Sequence, residues 1–322
     1  MGMSVRFGLV TIDVAGRAQA ALAVDGRALP LAEFGESRDL PGLLRDWDAV
    51  LPAMERLADD PRFADAPALE TLSVRAPYVP GQIFCTGANY KRHVVGLIMG
   101  DPSMRGPEHE NLSDEERRAR AEAMMDQRAK SALPFCFIKL PSSVIGPYDP
   151  VVLPRNVEKP DWELELGVVI GRRAHHVSPE DAMDHVAGFA VVNDVTAREL
   201  IFRKDGSAIG ADWLSGKSFP TFLPFGPIIV PRHAVSDPYD LGIRLAVNGK
   251  VYQDETTADM MINIERQVAY LSDRVVLQPG DLICTGSPYG NGSAFGVFLK
   301  PGDVMEGSIT GLGTQRNPCV AE

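Results

Sequence analysis

The sequence predicts an α+β fold that is mainly β, with a large mixed β-sheet core, rolled or barrel-like, behind a small N-terminal α+β domain. Three observations carry this. From residue 135 onward, short apolar runs such as FCFIKL, GFAVVND, IRLAVNG and DLICTG recur, each bounded by Gly, Pro or Asp. The 30 Gly and 25 Pro supply many tight turns. Helical patterns are confined to a few segments between these runs.

Residues 4–35 read as short strands, with RFGLVTI and AALAVDG as the apolar runs and Asp25-Gly26 as a hairpin turn signal. Residues 40–58 read as a helix with Leu43, Leu44, Trp47, Val50, Leu51 and Met54 on one stripe. A Pro/Ala-rich stretch, 61–69, follows. Residues 1–75 are therefore assigned to the small domain and 76–322 to a catalytic core, with the boundary near Pro77 to Pro80. Residues 96–131 form a probable insertion that ends in SDEERRARAEAMMDQRAK. Ser113 followed by Glu116 is a capping box, and the rest is rich in helix formers with opposite charges at i,i+4. Two readings fit: a polar, solvated helix, or a lid over a site. A further amphipathic helix is expected over 259–273. No period of 20–50 residues repeats, which excludes a solenoid or propeller.

Charge and cysteine content narrow the function classes. The net charge is −11 and no Lys/Arg cluster occurs, so nucleic acid is not an expected partner. No stretch approaches the roughly 20 apolar residues of a membrane helix, and MGMSVRFGLVTIDVAG lacks the form of a signal peptide. Cys85, Cys136, Cys284 and Cys319 are far apart and form no CxxC pair. Free thiols in a reducing, cytoplasmic setting are expected.

The candidate chemistry begins at DWELELGVVIG, residues 161–171. Residues two apart in a strand share a face, so Glu163 and Glu165 point together while Leu164, Leu166, Val168 and Ile170 point into an apolar layer. Two adjacent acids repel, and a hard cation removes that cost. A solvent-facing strand gives the same spacing. Asp194 ends the apolar run GFAVVND, where it fits either a third ligand or a cap for the helix that follows. Lys217, ahead of the aromatic, proline-rich run SFPTFLPFGP, fits an oxyanion-neutralising group or a surface lysine. Arg198 follows Asp194 by one turn, which suits a shared pocket or an ordinary ion pair. GANYKRH, residues 87–93, offers Tyr90 and His93, the latter as a general base or a structural histidine. The Gly/Ser-rich loop CTGSPYGNGSAFG, 284–296, carries Thr285 and Ser287 and suits either a carboxylate grip or a plain turn. His175-His176 is given no role.

Together and in this order, GANYKRH, ELELGVVIG, NDVTAR, GKSFPTFLPFGP and the final LICTGSPYG…LKPGDVMEGSITGLGTQRNP resemble the fumarylacetoacetate hydrolase superfamily over about residues 80–318. The resemblance implies a rolled mixed β-sheet core, a homodimer, and Mg²⁺ or Mn²⁺, with Ca²⁺ a further candidate, held by Glu163, Glu165 and Asp194. It implies a small-molecule substrate, an oxo acid or diketone. His93, Lys217 and Arg198 take catalytic roles in it, and Tyr90, Thr285 and Ser287 bind substrate. The expected reaction is metal-dependent hydrolysis of a C–C bond in an acylpyruvate or β-diketo acid. Its rivals are a 2-oxo acid hydratase, dehydratase, isomerase or decarboxylase of the same superfamily, and a non-catalytic oxo-acid-binding member. Three departures bear on this choice. Gly96 stands where many relatives carry a Glu that pairs with the histidine, Ile201 stands for a Gln, and Pro220 for an Asp. Glu108 or Glu110 in the insertion is the candidate stand-in for the missing Glu.

Overall fold

The computed structural model describes residues 7–100, 112–203 and 210–322. Glu108 and Glu110 lie outside them. β1 (Phe7–Val14) pairs with β2 (Arg17–Val24), and β2 with β3 (Arg27–Pro30). The first turn is Ala15-Gly16 and the second Asp25-Gly26. All four residues have positive φ, between 46° and 82°, which matches the twist of the flanking strands. The stripe expected over 40–58 is divided into α1 (Leu40–Leu44) and α2 (Trp47–Leu57). Asp39 caps α1, accepting from Gly42 N at 2.8 Å, and Leu43, Leu44, Trp47, Val50 and Met54 are buried.

Next come β4 (Ile83–Gly87), α3 (Lys91–Gly100), α4 (Asp114–Ser131) and β5 (Phe135–Lys139). α4 opens with the expected capping box: Glu116 N donates to Ser113 Oγ at 3.3 Å, and Ser113 N to Glu116 Oε2 at 2.9 Å. Ala121 and Met125 dock α4 onto Val94, Val95 and Ile98 of α3. After β6 (Val144–Ile145), β7 (Val151–Leu153) and β8 (Pro160–Asp161), the buried pair β9 (Leu164–Ile170) and β10 (Val186–Asn193) forms the centre. Then follow β11 (Thr196–Ala197), α5 (Arg198–Ile201), α6 (Trp213–Lys217), β12 (Leu223–Pro224) and β13 (Ile228–Pro231). β14 (Gly242–Val247), β15 (Lys250–Thr256), α7 (Ile264–Ser272), β16 (Leu282–Cys284), β17 (Val304–Ile309) and β18 (Gly313–Ala321) complete the chain. The helix expected over 259–273 is thus shorter. Asn263 caps it, accepting from Arg266 N at 3.1 Å.

The fold is α+β and mainly β. Among the described residues the strands form a nine-stranded mixed sheet, β3-β2-β1-β13-β10-β9-β16-β4-β5, and a five-stranded sheet, β15-β14-β17-β18-β7. β1 joins the large sheet through β13, with Leu9 opposite Ile229. β9 shows why its sequence reads apolar on one parity and mixed on the other. Leu164, Leu166, Val168 and Ile170 pack against Ile243, Leu245, Met305 and Ile309 of the second sheet. On the opposite face, Val169, with Ala190 and Val192 of β10, packs against α1 and α2. That second face ends, toward the start of β9 and the end of β10, in charged groups rather than leucines.

Candidate active site

Asp161, Glu163 and Glu165 occupy alternate positions along β8 and β9 and are 0%, 6% and 2% exposed. The end of β10 is pinned beside them: Glu163 N donates to Asn193 Oδ1 at 2.9 Å, and Asp194 N to Glu163 O at 2.8 Å. This brings one carboxylate oxygen each of Glu163, Glu165 and Asp194 within 4.8 Å of one another. The solvent-facing reading of the Glu pair therefore fails. So does the cap reading of Asp194, because α5 is preceded by Ala197 and has no side-chain cap.

Three buried or half-buried cations face these acids. Lys217 Nζ donates to Asp194 Oδ2 at 2.5 Å and also to Glu163 Oε2. Gly216 makes its position possible, since a Cβ there would lie 2.4 Å from Ile201 Cγ1, so only glycine lets α6 close on α5. Lys139, from β5, has a fully buried side chain with Nζ 2.7 Å from Asp194 Oδ1. Arg198 is forked: Nε donates to Asp161 Oδ2 at 2.8 Å and Nη2 to Glu163 Oε1 at 2.5 Å. Asp161 in turn accepts from Gly292 N at 2.6 Å and Ser293 N at 3.0 Å, tying the 284–296 loop to the cluster.

Four carboxylates thus meet three cations, leaving one negative charge in excess. The excess falls on Glu165. Burial, then the nearby Asp194 carboxylate, pushes the Glu165 carboxyl well above its ordinary range. It accepts from the backbone Gly286 N at 2.8 Å. Glu163 shows the opposite balance: burial pushes it up, but Arg198 and Lys217 together hold it well below the ordinary range. For Lys217, burial works against the charge, yet Asp194 and Glu163 outweigh it and raise its pKa. Asp194 Oδ1, although close to Lys139, accepts no hydrogen bond. A buried, under-compensated, all-oxygen donor set of this kind fits a hard divalent cation.

A cleft of 920 Å³ ends at His93 on α3. His93 is 8% exposed, and burial outweighs the raising effect of the Glu163 carboxylate and, with the Arg198 and Lys217 charges, pulls its pKa down to about 4. Its imidazole is therefore neutral over the physiological range. One turn along α3, a Cβ on Gly96 would lie 2.7 Å from Tyr289 Cε2 and 2.9 Å from Cδ2. The tyrosine ring fills the space into which a residue-96 side chain would extend. Among the described residues no carboxylate hydrogen-bonds to the His93 ring.

The other residues singled out from the sequence are gathered nearby in varied roles. Tyr90 is completely buried and its hydroxyl has no hydrogen-bond partner; burial raises its pKa. The Thr285 hydroxyl donates to Leu166 O at 2.9 Å, and Ser287 Oγ accepts from Gln253 Nε2 at 3.1 Å, so both hold the loop to the framework. Ile201 is buried against α6 and Pro220 is exposed. Sequence reasoning missed Lys139, Asp161, Tyr289 and Asn291, whose amide donates to Glu163 Oε1 at 3.0 Å. For Asp161 the signal was present, two residues before Glu163 on the same parity. For Lys139 it was a lone lysine two residues after Phe137 in an apolar strand.

A buried cluster of alternating acids and bases on a β-sheet, near His93 and the cleft it lines, is the feature against which the relatives of this chain are compared. Residues 82–320 match the family described as fumarylacetoacetate (FAA) hydrolase C-terminal, and this chain belongs to that family. A human protein named oxaloacetate tautomerase FAHD2B, mitochondrial, is 45% identical over 189 residues, 58% of this chain and 59% of its own length. The chain thus spans about three fifths of the length of such relatives. The fumarylacetoacetate hydrolase from psychrophilic Exiguobacterium antarcticum superposes with a TM-score of 0.75 at 28% identity, over 98% of this chain and 100% of its own. Maleylpyruvate hydrolase from Sphingobium sp. SYK-6, in complex with manganese(II) and pyruvate, superposes with a TM-score of 0.70 at 25% identity, over 98% and 99%. Among the described residues no helix is long and apolar enough to cross a membrane.

Proposed function

We propose that this protein catalyses keto–enol isomerisation of a 2-oxo acid at a divalent cation, Mg²⁺ or Mn²⁺, held by Glu163, Glu165 and Asp194. The observation that carries the choice of reaction is the Tyr289 ring packed against Gly96. It leaves His93 without a carboxylate partner, and burial holds its pKa near 4. Cleaving a C–C bond by hydrolysis requires a base strong enough to activate water. Isomerisation asks only that a proton move between the acidified carbon next to the carbonyl and oxygen. A neutral imidazole of low basicity is a weak base for either task, and isomerisation asks less of it because the cation acidifies the proton to be moved. A cation at the cluster supplies Lewis-acid polarisation of the carbonyl. Lys217 keeps a fixed positive charge where the enolate oxygen develops. Arg198, braced by Asp161, keeps Glu163 ionised. The relatives named oxaloacetate tautomerase support this reading.

Hydrolysis of an acylpyruvate is the second reading, supported by the likeness to a maleylpyruvate hydrolase crystallised with manganese and pyruvate. The two separate in one pair of assays. With Mg²⁺, the protein is expected to accelerate the decay of enol-oxaloacetate absorbance, to lose that effect in excess chelator, and to leave acetylpyruvate intact. Metal-dependent loss of acetylpyruvate with unchanged oxaloacetate tautomerisation would overturn the isomerase reading in favour of the hydrolase.

A further inference from the structure

Four strands end the nine-stranded and five-stranded sheets, and three of them carry a feature that discourages another chain from pairing there. β3 is four residues long, ends in Pro30, and is met by the 67–69 stretch, with Ala28 N donating to Pro67 O at 3.1 Å. β15 carries Lys250, Asp254 and Glu255. β7 has three residues, and Val152 N donates to the Thr221 hydroxyl at 2.9 Å. β5 is different. One of its backbone edges pairs with β4, and the other meets no strand among the described residues. Across residues 131–148, SALPFCFIKLPSSVIGPY, the single charge is Lys139, and its side chain is turned inward to Asp194.

The side chains around this edge are apolar. Leu133, Phe135, Ile138, Leu140, Phe202 and Leu214 are each 40% to 66% exposed, and they make up six of the twelve large exposed hydrophobic residues among those described. Phe135 and Phe137 pack on Trp213 with ring centroids 5.3 Å and 4.7 Å apart, which continues the patch onto α6 and Leu214. Phe202 joins it through a bridge to Ala211, just ahead of α6. At about 200 Å² for each such side chain fully exposed, the six present roughly 650 Å², against about 300–600 Å² for the largest apolar patch of an ordinary monomer.

We propose that this edge is an interface with a second copy of the chain, in which β5 pairs antiparallel with the β5 of the other copy about a twofold axis and one sheet runs through both. The observations select a second copy as the occupant. An antiparallel strand edge is complementary to itself, so one twofold axis satisfies both free edges. Phe135 and Ile138 fall on opposite faces of β5, which suits a strand laid in the plane of the sheet. Two such patches bury about 1,300 Å², within the range of a stable interface. The net charge of −11 opposes self-association elsewhere on the surface, and residues 131–148 contribute no acid to it. The two elements that the interface covers, β5 and α6, are those that deliver Lys139 and Lys217 to the carboxylate cluster.

The mass of the full-length protein in solution, by sedimentation velocity, is the test. At micromolar concentration a dimer of about 70 kDa is expected, twice the 34.9 kDa of one chain. Ile138→Lys places like charges on both sides of the twofold axis and is expected to weaken association at least about a hundredfold, leaving the single-chain mass. Leu214→Lys, on α6, is expected to do the same without altering β5. Phe295→Lys, at an exposed side chain that packs on Tyr252 of β15, is expected to leave the dimer intact. Hydrogen exchange at the amides of residues 135–139 is expected to be slower in the wild type than in Leu214→Lys, whose own strand is unaltered. A wild type of single-chain mass overturns the proposal. A dimer that survives both Ile138→Lys and Leu214→Lys, or equal exchange at 135–139 in the wild type and Leu214→Lys, places any association elsewhere and overturns it as well.

Discussion

Replacing Lys217 by Met gives two effects of opposite sign, and their combination tests the cluster as a cation site. The Lys217 side chain is 2% exposed and donates to Asp194 Oδ2 at 2.5 Å and to Glu163 Oε2. Met is of similar length, so the change removes a charge with little change in packing. Without a cation, two buried carboxylates lose their shared partner, although Glu163 keeps Arg198 and Asp194 keeps Lys139. Breaking a buried pair in this way costs about 3–5 kcal/mol. A divalent cation at the same carboxylates gains instead, because a like charge next to it has gone. At about 5 Å and an effective dielectric of about 20, that removed repulsion is on the order of 3 kcal/mol per unit of cation charge, or up to about 7 kcal/mol for a divalent ion. The Lys217→Met protein is therefore expected to unfold at lower urea concentration in chelator, to bind Mg²⁺ at least about a hundredfold more tightly than the wild type, and to lose catalytic activity. Urea melts with and without Mg²⁺, together with calorimetric titration of Mg²⁺, read all three. A folded variant that binds Mg²⁺ more weakly than the wild type refutes the assignment of the cation to this cluster.

Two further outcomes follow from the wall of the cleft. Gly96→Ala adds a Cβ 2.7 Å from the Tyr289 ring, so it is expected to destabilise by about 1 kcal/mol in the wild type and to stabilise by about 1 kcal/mol in a Tyr289→Ala background, where helix propensity alone remains. The same sign in both backgrounds, measured by denaturant unfolding, contradicts the packing account. His93 has a folded pKa of about 4, below its unfolded value of about 6.5. The unfolded chain therefore takes up this proton first, and stability falls as pH drops from about 6.5 to about 4, by up to about 3 kcal/mol, and is flat in this respect above that window. The difference in unfolding free energy between the wild type and His93→Gln, followed from pH 8 to pH 4, isolates this slope from the carboxylates; no difference in slope means that His93 is not buried neutral.

The strand-rich architecture was legible because it depends on short-range signals. The Asp25-Gly26 turn, the Ser113/Glu116 capping box and the period-two apolar pattern of 164–170 each have one low-energy conformation, and the fold contains it. The break between α1 and α2 was not legible, since both halves keep the same apolar stripe across Arg45-Asp46. Glu163 and Glu165 could be paired from spacing alone, but their burial could not, because an exposed strand has the same alternation. Their counter-charges were harder still. Lys139 reaches Asp194 from a strand 55 residues earlier, and nothing near either position in the sequence announces the other. Thr285 and Ser287 illustrate the reverse: a Ser/Thr/Gly loop looks like a ligand grip, yet the Thr285 hydroxyl donates to a backbone carbonyl and Ser287 Oγ accepts from the Gln253 amide. Tyr289 was invisible for a steric reason. Its role depends on the space left by a glycine nearly two hundred residues earlier, which no local pattern encodes.

The division between cluster and cleft also bears on how one fold can support several reactions. Glu163, Asp194, Lys217, Lys139 and Arg198 are locked to one another by ion pairs in a buried setting, so changing any one of them leaves another charge uncompensated. Such a unit resists piecemeal alteration. His93, Gly96 and Tyr289 are different: they touch the cleft through packing and open space, and a change at residue 96 asks only that a half-buried ring move. Residues lining the cleft can thus change at a cost of about 1–3 kcal/mol, while the carboxylate cluster is held by contacts that cost about 3–5 kcal/mol to break.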